Sequence, residues 1–62
     1  MDETQRAELW DDDAGVKLAD GTLAQMKTEY LRRDLCCLFI ELEDGTQLAW
    51  NAHREPPGWD EI

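Results

Sequence analysis

Apolar residues recur at helical spacing in the middle of the chain. Between Thr22 and Leu35 they follow one another at steps of three, four, one and four residues, which places them on one stripe of a helix. Thr22 and Gln25 are spaced as in a capping box, which marks a helix start. This pattern predicts one main helix over about residues 22–35. Its buried stripe would consist of Leu23, Met26, Tyr30, Leu31 and Leu35.

Strand-like alternation follows directly and predicts a β-hairpin over residues 36–52. A two-residue turn would place Leu48 and Trp50 on the face of charged Glu41, whereas a three-residue loop that ends at Gly45 pairs Ile40 with Leu48. We therefore expect the three-residue loop, with Gly45 in the left-handed position of a type I turn plus bulge. The apolar face of the hairpin would consist of Cys36, Leu38, Ile40, Leu42, Leu48 and Trp50, covered by the helix stripe.

The two ends of the chain carry weaker signals. The pattern of Thr4–Trp10 is compatible with a short helix, and Val16–Ala19 alternates like a third strand or an extended connection. Pro56-Pro57-Gly58 cannot continue a strand, so residues 53–62 are expected to form a tail in which Trp59 is a lid over the core or an exposed contact. The whole pattern predicts a single small α+β domain over residues 1–62, with one main helix on a small antiparallel sheet.

The composition is strongly acidic. Fifteen Asp and Glu residues outnumber six Lys and Arg residues in a chain of 62, which gives a formal net charge of -9. Because affinity for nucleic acids comes from Lys and Arg side chains that displace counterions, we expect no direct nucleic-acid binding. The longest apolar run, residues 35–40, is far shorter than the roughly 20 residues that cross a bilayer, so we expect no membrane insertion.

Catalytic and metal-binding patterns are missing from the sequence. The chain has no serine, and Cys36 and Cys37 lie in an apolar run with no neighbouring base. We expect Cys36 to fill the core and Cys37 to be half exposed. The single histidine, His53, and the two adjacent cysteines lack a zinc-ligand spacing, and the run Asp11–Asp13 does not match a calcium loop. We therefore expect no catalytic residue, metal or cofactor, and a protein that is not an enzyme.

The acids are clustered, which indicates a use beyond solubility because like charges held close together oppose folding. The acids expected to bind a partner are Asp11, Asp12 and Asp13 in the N-terminal part and Glu41, Glu43 and Asp44 on the predicted hairpin. Trp10 and Trp59 are candidate aromatic anchors, with core packing as the alternative for both, because Trp is enriched among binding hot spots. Carboxylates on a rigid surface can imitate the phosphates of DNA.

In its size, its charge, its missing catalytic chemistry and these acid clusters, the chain resembles the small acidic anti-defence proteins encoded by phages. These are the anti-CRISPR and anti-restriction proteins, several of which occupy DNA-binding sites. The resemblance implies a DNA mimic that inhibits a basic DNA-binding protein, such as a subunit of a CRISPR surveillance complex or a restriction enzyme. It also implies evasion of host defence. The retained Met1, the adjacent reduced cysteines and the lack of a secretory signal lead us to expect a location in the cytoplasm of a bacterial cell.

Two other functions fit the same residues. An immunity protein, an antitoxin or a small regulatory subunit would neutralise a basic enzyme through the same acids. A structural or virion component would need self-association, which the net charge opposes and an exposed Trp patch favours. We expect a monomer or a weak dimer.

Overall fold

The computed structural model describes residues 2–62 and contains five strands and one helix. In chain order these are β1 (Arg6–Asp11), β2 (Val16–Thr22), α1 (Leu23–Arg33), β3 (Leu38–Leu42), β4 (Gln47–Asn51) and β5 (Gly58–Glu61). The strands form one antiparallel sheet in the order β2-β1-β3-β4-β5. The predicted α+β fold, with one helix packed on an antiparallel sheet, is confirmed.

Helix α1 begins where the capping box places it. The Thr22 side chain accepts a hydrogen bond from the Gln25 N–H at 3.2 Å, and the Gln25 side chain accepts one from the Thr22 N–H at 3.0 Å. The helix ends earlier than predicted, because Asp34 adopts a left-handed conformation. The stripe is correspondingly shorter: Leu23 and Met26 are buried, but Leu31 and Leu35 are exposed. The predicted burial of Leu31 and Leu35 is wrong.

The hairpin β3–β4 has the predicted three-residue loop. Ile40 lies opposite Leu48, the Leu42 N–H donates to the Thr46 carbonyl at 2.8 Å, and Gly45 has a φ of 88°. The ladder starts at Leu38, later than predicted, and both cysteines before it are exposed. Cys36 is therefore not a core residue, in contrast to the expectation from the apolar run.

The N-terminal segment forms a strand where a helix was expected. Residues Ala7 and Leu9 are buried, two positions apart, as the inward-facing residues of β1. This strand lies between β2 and β3, so its backbone hydrogen bonds are made on both sides. The short helix over Thr4–Trp10 is wrong because long-range pairing outweighs its weak local pattern. The strand expected at Val16–Ala19 is confirmed as part of β2.

The C-terminal residues also differ from the prediction. The prolines at 56 and 57 lie in a loop, but the chain returns as strand β5, with Trp59 opposite Trp50 on β4. The indole of Trp59 makes edge-to-face contacts with Tyr30 at 4.9 Å and with Trp50 at 5.3 Å between ring centroids. Residues 53–62 are therefore part of the fold, and Trp59 is the lid over the core.

All buried apolar side chains lie between α1 and one face of the sheet. They are Ala7, Leu9, Leu23, Met26, Leu38, Ile40, Leu42 and Leu48. The helix covers this face only, so the other face of the sheet, here called the open face, has no layer over it within residues 2–62. Helix α1, at 11 residues, is the only α-helix in this part of the chain, and it is neither long nor apolar enough to cross a membrane.

Candidate partner-binding surface

The charges divide into a neutralised set and an unpaired set. Every Lys and Arg side chain forms at least one ion pair, and together the six occupy only five acids. Within residues 2–62 the other ten acids have no basic partner. They are Asp2, Asp11, Asp12, Asp13, Asp34, Glu41, Glu43, Asp44, Glu55 and Glu61. All six acids predicted to bind a partner belong to this unpaired set.

Three of these acids lie at the turn between β1 and β2. The carboxylate of Asp11 accepts hydrogen bonds from the backbone N–H groups of Asp13 at 3.0 Å and Ala14 at 3.2 Å. Asp11 therefore has a structural role in closing the turn. Asp12 and Asp13 are exposed. We call Asp11, Asp12 and Asp13 the turn pole.

The other three lie on the β3–β4 hairpin and form what we call the hairpin pole. Asp44 closes the hairpin loop: it accepts from the Thr46 N–H at 2.9 Å. Hydrogen bonds from the Thr46 hydroxyl and then from the Thr46 N–H lower the pKa of Asp44. Glu43 accepts from the backbone N–H of Arg6 at 2.9 Å, and Glu41 accepts from the side-chain amide of Gln47 at 3.4 Å.

The two poles lie at opposite ends of the sheet. Asp11, at the end of β1, pairs with Leu38, whereas Ala7, near its start, pairs with Leu42 next to the hairpin loop. Arg6, whose N–H binds Glu43, is five residues before Asp11, so at a rise of about 3.3 Å per residue Glu43 lies about 17 Å from the turn pole. Glu41 is the exception within the hairpin pole: it lies opposite Glu8 on the open face, about 10 Å from Asp11 along the strand. The structure therefore does not bring the six predicted acids into one patch.

An aromatic pair lies on the open face between the poles. Trp10 and Phe39 are directly opposite each other on β1 and β3, with ring centroids 6.4 Å apart and planes within 6° of parallel. The indole N–H of Trp10 donates to Glu8 at 3.3 Å, and both rings are half-buried. Phe39 and Glu8 were not among the predicted site residues. The alternation in Ala7-Glu8-Leu9-Trp10 is the signal that could have identified Glu8, because in a β-strand Glu8 and Trp10 lie on the same face.

A cleft of about 310 Å³ includes in its lining Glu8 and Glu41, which lie two residues along the strands from this aromatic pair. Four carboxylates and one guanidinium line it, from Glu8, Asp20, Glu41, Glu43 and Arg6. Lys17 bridges Asp20 at 3.3 Å and Glu8 at 3.4 Å, and these contacts, that of Asp20 most of all, raise the pKa of Lys17. The lining therefore keeps a negative charge even after its internal ion pairs are formed.

The second predicted anchor, Trp59, lies on the helix side of the sheet. Its contacts are with Trp50, Tyr30 and the Lys27 ammonium, which lies 5.7 Å from the ring centroid. Trp59 and Trp10 are therefore on opposite faces and cannot act on one flat partner surface.

The vicinal cysteines lie near the turn pole, where the Cys37 carbonyl accepts from the Asp12 N–H at 2.9 Å. The pKa of the Cys37 thiol is raised, first by its hydrogen bond with Cys36 and the charge of that neighbour, and to a smaller extent by the negative charges of Asp13 and Asp11. A raised pKa favours the neutral thiol, which is the less nucleophilic form. Within residues 2–62 no three His, Cys, Asp or Glu side chains are arranged to hold a metal ion.

No family model matches the chain, and neither a curated protein nor a solved structure matches it. Any function must therefore be inferred from the residues of the chain and their arrangement. Two unpaired acid poles and the aromatic open face between them are the features that a partner would meet.

Proposed function

We propose that this protein is an acidic inhibitor that binds the DNA-binding surface of a host-defence protein in place of DNA. It acts in the cytoplasm of a bacterial cell, on a CRISPR surveillance complex or a restriction enzyme. The observation that carries the proposal is the charge division: all six bases are used in ion pairs, and six of the ten unpaired acids lie in the turn pole and the hairpin pole.

The separation of the poles supports mimicry of a duplex. The two phosphate backbones of B-DNA flank a major groove about 12 Å wide, which admits protein side chains that read bases. The turn pole is separated from Glu41 and Glu43 by distances of the same order, about 10 and about 17 Å along β1. In this proposal the carboxylates of each pole imitate the phosphates of one DNA strand, and the open face imitates the floor of the groove.

The unpaired state of these acids supports rapid binding to a basic partner. Carboxylates that are already ion-paired have little field left to attract a partner, whereas unpaired ones produce a long-range field that raises association rates. The unpaired carboxylates of the two poles include those of Asp12, Asp13, Glu41 and Glu43. Their mutual repulsion costs folding free energy, and binding to a basic surface offsets that cost.

The test is capture of a partner from a bacterial lysate on the tagged protein, with washes at about 50 and then about 500 mM salt. Screening shortens across this step from about 14 Å to about 4 Å, so an electrostatic complex is released. Duplex DNA is added as a competitor at the lower salt concentration. We expect a DNA-binding defence protein that is released both by salt and by DNA.

Three variants of equal net charge make the test specific. The first is D11N/D12N/D13N and the second is E41Q/E43Q/D44N, each of which neutralises one pole while Asn keeps the turn-closing acceptor. The control, A24K/T28K/L31K, adds three charges on exposed positions of α1. Each pole variant is expected to lower capture about tenfold, with little effect of the control. Equal losses in all three variants, or a partner indifferent to DNA, would contradict mimicry.

One observation favours the alternative of an immunity protein, an antitoxin or a regulatory subunit. Trp10 and Phe39 form a half-buried aromatic pair on the open face, the kind of group that supplies binding energy independent of salt. A partner that stays bound at about 500 mM salt and ignores DNA would support this function.

A further inference from the structure

We infer that the open face docks an arginine-bearing segment of the partner, with the guanidinium over the Trp10–Phe39 pair and its hydrogen bonds to Glu41. The inference rests on the proposed function in taking the partner to be a basic protein. It goes further by naming the side chain that is recognised and the residues that recognise it.

The aromatic part of the surface suits a flat cation. Trp10 and Phe39 have nearly parallel rings, and the Trp10 indole is held by its hydrogen bond to Glu8. A guanidinium stacks on such a ring surface within about 6 Å of a ring centroid. Glu41 follows Phe39 by two residues on the same face of β3, about 7 Å along the strand. One arginine side chain can therefore contact both.

The carboxylates of the neighbouring cleft supply charge complementarity. Of its four acids, Glu8 and Asp20 already share Lys17, but Glu41 and Glu43 have no basic partner within residues 2–62. Glu41 is engaged only by the Gln47 amide, at 3.4 Å, and Glu43 by a backbone N–H. Glu41 therefore has an oxygen left to accept N–H donors of the guanidinium, and Glu43 adds negative charge to the same cleft.

Arginine fits this surface better than lysine or a second copy of the chain. An ammonium is a compact, strongly hydrated charge that does not stack, whereas a guanidinium combines a flat face with a fork of donors. A second copy would bring its own carboxylates to the same face, since the chain carries a net charge of -9. The aromatic pair and the unpaired carboxylates of the open face therefore favour an arginine-bearing partner.

The experiment titrates the full chain with the blocked tripeptide Gly-Arg-Gly and with its lysine counterpart, each to about 10 mM. Heteronuclear NMR follows the indole N–H of Trp10 and the backbone N–H groups of Glu41 and Asp12. We expect the arginine peptide to shift the Trp10 and Glu41 signals and the lysine peptide to bind about threefold more weakly. Signals of the turn pole should move little.

Two variants and one control assign the contacts. Glu41→Gln should weaken binding of the arginine peptide about threefold. Phe39→Leu keeps an apolar side chain on the open face, and it should abolish the preference for the arginine peptide over the lysine peptide. Glu55→Gln is the matched control for charge, because Glu55 is exposed, has no basic partner within residues 2–62 and lies outside both poles; peptide binding is expected to be unchanged. An unmoved Trp10 signal at about 10 mM, equal shifts for both peptides, or an effect of Glu55→Gln equal to that of Glu41→Gln would overturn the inference.

These results separate the inference from the function on which it rests. If the arginine peptide binds as expected but duplex DNA fails to compete with the captured partner, DNA mimicry is wrong and the arginine site stands. If DNA competes but the peptides and Phe39→Leu have no effect, the function stands and the open face is not an arginine site.

Discussion

Glu8 and Glu41 lie directly opposite each other on β1 and β3, so two carboxylates project side by side from the centre of the open face. Such like-charged pairs destabilise a sheet. Lys17 offsets the charge of Glu8 at 3.4 Å, whereas Glu41 has only the Gln47 amide. The negative charge of Glu41 therefore destabilises the folded sheet, although the same charge contributes to the proposed binding surface.

Glu41→Gln should stabilise the fold while it weakens partner capture. Removal of the repulsion from Glu8 is expected to raise the free energy of unfolding by about 0.5 kcal/mol, measured by urea denaturation. Glu8→Gln is the comparison: it removes the same repulsion but also the ion pair with Lys17, so we expect no gain. A Glu41→Gln protein that is less stable than the original would contradict this account.

Neutralising Asp13 should make Cys37 more reactive. The negative charge of Asp13 contributes to the raised pKa of the Cys37 thiol, so its loss lowers that pKa and increases the thiolate fraction in mild alkali. The measurement is the alkylation rate of Cys37 in a Cys36→Ala background, with and without Asp13→Asn. Asp12→Asn makes the same charge change and is expected to leave the rate nearly unchanged.

Local chemistry made half of the fold predictable from the sequence. The capping box of Thr22 and Gln25 and the loop that ends at Gly45 depend on neighbouring residues, and both are found as predicted. Strand β1 was missed because its identity depends on pairing with β3, more than twenty residues away. Strand β5 was missed because a proline pair ends one strand but does not prevent the next.

The candidate surface was predictable in its residues but not in its arrangement. The acids were identified from their clustering, yet only the sheet order separates the turn pole from the hairpin pole and aligns Trp10 with Phe39. The two tryptophans expected to act as anchors also look alike in sequence. Pairing of β4 with β5 sends Trp59 to the helix side, where it packs on Tyr30.

Removal of the Thr46 hydroxyl should raise the pKa of Asp44. That hydroxyl, followed by the Thr46 N–H, holds the pKa of Asp44 below its ordinary value, and Thr46→Val removes only the first of these hydrogen bonds. NMR titration of the Asp44 carboxyl group in both proteins measures the change. An unchanged titration midpoint would mean that the backbone N–H alone determines the pKa.

The same shift has a consequence for stability in acid. Because the pKa of Asp44 is lower in the folded than in the unfolded chain, its contribution to stability is present above about pH 4 and is lost as the pH falls through the folded pKa. The original protein should therefore lose more stability than Thr46→Val between about pH 5 and pH 2. Urea denaturation at each pH gives the comparison.

Trp59→Ala should cost about 3 kcal/mol of unfolding free energy, because it removes an indole that packs against the core next to Tyr30 and Trp50. A domain of this size has little stability in excess, so the variant is expected to be partly unfolded near room temperature. Trp59→Phe keeps an aromatic ring in contact with Tyr30 and should cost less. If Trp59→Ala unfolds at the same urea concentration as the original, β5 adds nothing to the fold. Trp59 would then be free to act as the partner anchor that its sequence position suggested, and the binding surface would have to be extended to the helix side of the sheet.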